Sequence, residues 1–126
     1  MPKISFTAPS AAAPVGPYSP AVGLEGWVFL SGQVPLDADG CVAGETAAEQ
    51  AQTALENMRS LLRTTGLSMA DVLKTTIFLT DMNDFAAVNE VYATFFEPPY
   101  PARSTVQVGA LPKGVKVEIE AIALRS

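Results

Sequence analysis

A chain of 126 residues is long enough to bury a real core and too short for two, so one domain spanning 1–126 is expected. Hydrophobic residues make up 48% and charged ones 17%, a balance that excludes a disordered chain. Eight Lys and Arg against thirteen Asp and Glu leave a net charge of −5, and the basic residues are scattered, which argues against a nucleic-acid partner.

In chain order, Met1-Pro2-Lys3-Ile4 lacks the apolar stretch of a signal peptide, and no later run could span a membrane. The expected place is therefore the cytoplasm, with no membrane partner. Residues 7–20 are rich in Ala, Pro and Ser, and 7–13 read as a lead-in. Gly16-Pro17-Tyr18-Ser19-Pro20 plants an aromatic hydroxyl on a stiff segment. Trp27 to Ser31 reads as a buried strand, with residues 21–24 as its hairpin partner across a Gly-rich turn. A loop with Asp37, Asp39 and Gly40 follows.

The first long helix is predicted to start at Thr46, where Glu49 three residues on completes a capping box. Ala47, Ala51, Ala54, Leu55, Met58, Leu61 and Leu62 form its apolar stripe, and Gly66 ends it. Ser68 to Asp71 reads as a short capped turn, and Val72 to Thr80 as a strand of good sheet formers. A second helix is expected from about Asn83 through Phe85, Val88, Tyr92, Phe95 and Phe96, stopped by Pro98 and Pro99. Strands at 103–108 and 115–124, joined by a turn around 110–114, close the chain as a pair. This order implies an α+β fold, a mixed sheet with two helices on one face. The other face needs a cover, and another subunit is the natural one.

The chain holds one cysteine, Cys41, at a loop tip, and no histidine. An intrachain disulfide, a metal site and a Ser-His-acid triad are therefore not expected. Nor is there a phosphate-cradling glycine fingerprint, so no cofactor is expected. What remains is polar groups on apolar strands. Arg103 and Thr105 share one strand face, and Glu118 and Glu120 share a face with Ile122 and Leu124. One reading makes Arg103 a carboxylate anchor and a glutamate a base. The other makes Arg103 a surface ion-pair residue, and the glutamates charges that protect a solvated sheet edge. Tyr18, Ser31 and Asn89 each have a structural reading as well: packing, a backbone hydrogen bond, and a polar helix face.

Read together, Gly16-Pro17-Tyr18, Ser31-Gly32-Gln33-Val34-Pro35, the helix end Asn57 to Leu62, Val72-Leu73-Lys74-Thr75-Thr76, Asn83-Asp84-Phe85 with Asn89, Pro101-Ala102-Arg103-Ser104, Leu111-Pro112-Lys113 and Val117-Glu118-Ile119-Glu120-Ala121-Ile122-Ala123 resemble the RidA (YjgF-like) family over nearly the whole chain. That resemblance implies a chorismate-mutase-like fold and a homotrimer whose sheets form a central β-barrel, with clefts between subunits. It also implies hydrolysis of 2-aminoacrylate and related imino acids to 2-keto acids and ammonia, with no metal and no cofactor. Carried onto matching positions, Arg103 would grip the substrate carboxylate and Glu118 would hold or activate water. Tyr18, Ser31, Gly32, Asn89 and Thr105 would line the cleft. Thr105 stands where several members carry Cys, and Pro20 where Gln is common. Rival readings are a 2-keto acid sensor without turnover, the ribonuclease or translation inhibitor that some family members have been labelled, and a structural trimer. Whether Arg103 and Glu118 share a sheet face depends on strand register. On opposite faces, they could meet only across an interface.

Overall fold

The computed structural model describes residues 2–9 and 13–125; of the lead-in at 7–13, residues 10–12 lie outside the described residues. Eight main elements follow one another: β1 (Ile4–Phe6), β2 (Ala21–Leu24), β3 (Trp27–Gln33), α1 (Ala47–Thr64), β4 (Val72–Leu79), α2 (Phe85–Ala93), β5 (Ala102–Gln107) and β6 (Val117–Leu124). The strands form one sheet in the order β1-β2-β3-β6-β4-β5. Every pairing is antiparallel except β4 with β5, which run parallel because α2 carries the chain across between them. It is the mixed sheet of an α+β fold.

The helix starts and stops follow local chemistry. Thr46 Oγ1 accepts from Glu49 N–H at 3.1 Å, and Glu49 Oε1 accepts from Thr46 N–H at 3.0 Å. The Thr46 and Glu45 backbone N–H groups, both donating to that carboxylate, lower the Glu49 pKa below the usual carboxylate range. At the other end the chain turns at Gly66, whose φ of 84° an L side chain would resist. Every residue of the expected α1 stripe is buried, and Leu55, Met58 and Leu62 are fully so. The stripe packs on β3 and β6, in a core shared with Val28, Leu30, Ile77, Leu79, Val117 and Ile119. Buried Gln50 also joins this face, accepting Lys116 N–H at 2.7 Å and so tying the start of α1 to the entry of β6.

Three expectations change. The two last strands do not pair with each other: β4 lies between them, setting Thr75, Ile77 and Leu79 into the core. The second helix ends at Ala93 instead of reaching the prolines. Thr94 Oγ1 donates to the Val91 carbonyl at 2.7 Å and Phe95 N–H turns back to Tyr92, which breaks the helical ladder and lays Phe96 against Tyr92. The lead-in expected at 7–13 is more than a passive stretch, because Ala8 is buried, and ahead of it Ile4–Phe6 forms an edge strand.

The sheet's two faces differ sharply. One is the core. The other carries Trp27, Phe29 and Val106, each about half exposed, with Phe78, Ile122 and Leu124 between them. Trp27 and Phe29 stack with ring centroids 6.4 Å apart. These side chains leave a row of large apolar groups uncovered on this face of the chain.

Candidate active site

Glu118 and Gly32 form the first half of the site. β3 carries one residue more than β6 between Leu30 and Gln33, so Ser31-Gly32 sits in a bulge. The bulge lets Gly32 lie directly against Glu118: a methyl group there would meet Glu118 Cδ at 2.6 Å and Cγ at 2.8 Å. Glu118 faces the open side of the sheet beside Phe78. It is half-buried, and burial pushes its carboxyl pKa up, with the negative charge of Glu120 adding to the shift.

The same bulge borders a cavity of about 330 Å³ lined by Tyr18, Ser31, Gly32, Val34, Leu36 and Asn57, among others. Ser31 Oγ donates to the Ser19 carbonyl at 2.7 Å and Ser31 N–H to the Pro20 carbonyl at 2.8 Å, which ties the Tyr18 segment to β3. Asn57 Nδ2 holds the carbonyls of Val34 and Leu36. Lys113 Nζ reaches the Gly40 carbonyl at 2.6 Å and fixes the loop on the far wall.

Arg103, Asn89 and Thr105 form the second half. Arg103 pairs with Thr75 in the β4–β5 register, and Thr75 pairs with Ala121, so Arg103 lies on the helix side of the sheet. Its Nη1 donates to Asn89 Oδ1 at 2.7 Å, and its guanidinium carbon lies 4.8 Å from the Tyr92 ring centroid and 5.5 Å from that of Phe85. The Thr105 hydroxyl, two residues on along the same strand face, is buried with no hydrogen-bond partner among the described residues. An orphaned buried hydroxyl beside an exposed guanidinium suits a ligand that accepts from both.

Sequence reasoning thus assembled two groups, not one. Tyr18, Ser31, Gly32 and Glu118 gather around the β3 bulge, while Arg103, Asn89 and Thr105 gather on β5 and α2. Arg103 and Glu118 are on opposite faces, with β4 between their strands. Within one chain Arg103 does not act on the Glu118 carboxyl; burial and Glu120 govern it. The sequence reading missed Phe85 and Tyr92 as partners of Arg103. The signal was present: Phe85, Asn89 and Tyr92 follow at spacings of four and three, one stripe of a helix. Among the described residues no cluster of three or more His, Cys, Asp or Glu could hold a metal, and no helix is long and apolar enough to cross a membrane.

The sequence model of the endoribonuclease L-PSP family matches residues 8–125. The chain belongs to that family. The 2-iminobutanoate/2-iminopropanoate deaminase of Mus musculus is 47% identical to it over 116 residues, 91% of this chain and 86% of the relative. The protein of the same description from Salmonella typhimurium is 45% identical over 119 residues, 92% of this chain and 93% of the relative. Among solved structures, Escherichia coli TdcF with bound serine superposes with a TM-score of 0.91 at 45% identity, covering 98% of this chain and 99% of the other. RidA from an Antarctic Psychrobacter also reaches 0.91, at 40% identity, covering 96% and 98%.

Proposed function

We propose that this chain, one RidA-type domain, hydrolyses reactive 2-imino and enamine acids such as 2-aminoacrylate to 2-keto acids and ammonia. The work would be done in clefts between subunits of a homotrimer in the cytoplasm, without metal or cofactor. Relatives at 45–47% identity are named for the deamination of such imines. The observation that carries the placement is the opposition of Arg103 and Glu118 across one sheet. A carboxylate anchor and a base on opposite faces can serve one small substrate only when two chains contribute. The exposed Trp27, Phe29 and Val106 face gives the surface on which three sheets would close into a barrel. TdcF, a structural neighbour, holds serine, itself an amino acid with a carboxylate.

The chemistry asks little of the protein. An iminium carbon is already electrophilic. Arg103 offers parallel donors to the substrate carboxylate and fixes its orientation. Water adds to the carbon while Glu118 takes a proton from it, forming a carbinolamine. Glu118 returns the proton to nitrogen, the C–N bond breaks to release ammonia, and the remaining hydroxyl passes its proton through Glu118 to the ammonia, leaving keto acid and ammonium. A carboxylate raised above its ordinary pKa suits a group that must both accept and return a proton, a contribution of roughly 10²–10⁴-fold. Tyr18, Ser31, Gly32, Asn89 and Thr105 would line the cleft.

The test is release of ammonia or keto acid from imines generated freshly by L-amino-acid oxidase. Wild-type acceleration that disappears in folded Arg103→Ala and Glu118→Ala supports the assignment. Wild type without acceleration on any imine, but binding 2-keto acids, would favour a sensor instead.

A further inference from the structure

An arginine on an edge strand ordinarily samples many orientations, because its side chain has several free torsions and strong hydration. Arg103 is held by one stripe of α2 instead. Phe85 and Tyr92 present ring faces to its guanidinium at 5.5 and 4.8 Å, and Asn89 between them takes Nη1 at 2.7 Å. Tyr92 is itself fixed. It is buried, its hydroxyl lies 2.8 Å from Thr75 Oγ1, and Phe96 packs on it with ring centroids 4.7 Å apart. Thr75 is fully buried and is the cross-strand neighbour of Arg103.

We propose that Tyr92 is a positioning residue: held by Thr75, its ring orients the Arg103 guanidinium so that the donors Asn89 leaves free meet a substrate carboxylate. This rests on the hydrolase reading above and goes beyond it by assigning the group that preorganises the anchor. If Tyr92 served packing alone, a phenyl ring would fill the site and the buried hydroxyl would be a liability. That hydroxyl is instead satisfied by the residue beside Arg103, which couples ring, sheet and guanidinium in one unit. A ring face on an exposed guanidinium changes the occupancy of one orientation by roughly 2- to 5-fold. Because Arg103 would hold the carboxylate in the ground state and the transition state alike, the change should appear in KM and spare kcat.

The experiment pairs ¹⁵N NMR of the arginine Nε–H groups with imine kinetics on wild type, Tyr92→Phe, Tyr92→Leu and Thr75→Val, the Arg103 signal being identified by its loss in Arg103→Lys. Ring-current shielding of the Arg103 signal is expected in wild type and Tyr92→Phe, and its loss in Tyr92→Leu. KM for the imino acid should rise about 2- to 5-fold in Tyr92→Leu with kcat within about two-fold, and to a smaller degree in Tyr92→Phe, which keeps the ring but loses its hydroxyl bond to Thr75. Should Tyr92→Leu not fold, Thr75→Val removes the hydroxyl lock at constant shape, and should broaden the Arg103 signal and raise KM to a smaller degree. An Arg103 signal unchanged in every folded variant, or a fall in kcat at constant KM, overturns the proposal. Wild type that accelerates no imine refutes the hydrolase reading instead, and the NMR arm still decides whether Tyr92 orients Arg103.

Discussion

Gly32→Ala is the sharpest perturbation this site offers. The added methyl would lie 2.6 Å from Glu118 Cδ, closer still to a carboxylate oxygen, where ordinary contact begins near 3.4 Å. Gly32 does not have the left-handed φ of Gly40 or Gly44, so alanine brings no backbone penalty of that kind. The colliding atoms sit at the far end of a side chain, so the fold can absorb the change by moving the carboxylate. A retreat of at least about 0.8 Å is needed, and misplacement of a catalytic group by about 1 Å can cost on the order of 10²-fold. The stability cost should be that of mild overpacking, about 1–3 kcal/mol. We therefore expect Gly32→Ala to unfold cooperatively at a somewhat lower temperature, with kcat for imine hydrolysis reduced roughly 10²-fold. Because the effect runs through one carboxylate, Gly32→Ala should add little to Glu118→Gln, a strong departure from additivity. Gly32→Ala with wild-type kcat, or with the same loss in the Glu118→Gln background, would refute this account of the bulge.

Glu118 and Glu120 give a pH prediction. With the Glu118 pKa raised by burial and by Glu120, the acidic limb of kcat/KM should fall above the ordinary carboxylate range, and Glu120→Gln should move it to lower pH. Because the folded-state pKa is the higher one, Glu118 costs stability as pH rises through that value. Chemical denaturation should therefore show Glu118→Gln more stable than wild type at neutral pH, the difference closing below the ordinary glutamate pKa. Thr46→Ala removes the oxygen that caps α1 and should lower stability by about 1 kcal/mol without altering kcat, read by thermal unfolding and the imine assay. Phe29→Glu puts a charge on the open sheet face, and light scattering should show a smaller particle with activity lost, provided the cleft is shared between chains. An intact oligomer in that variant would mean that this face is not the contact.

Local chemistry determined several elements of the fold. The Thr46–Glu49 box, the apolar stripe from Ala47 to Leu62 and the turn at Gly66 define α1, because caps and periodicity act within a few residues. Sheet formers from Val72 to Leu79 do the same for β4. The α+β order and the family resemblance were legible too, and the family match over residues 8–125 agrees with them. Pairing was not legible, since neighbours in sequence need not be neighbours in a sheet. Insertion of β4 between β5 and β6 is a competition for the buried central place, which a turn length cannot reveal. That insertion also decides the site. It separates Arg103 from Glu118 by a strand and, through register, by a face, because a side chain's face follows from its pairing partners and not from its identity. The residues came from the sequence; their division into two half-sites was decided only by the tertiary structure.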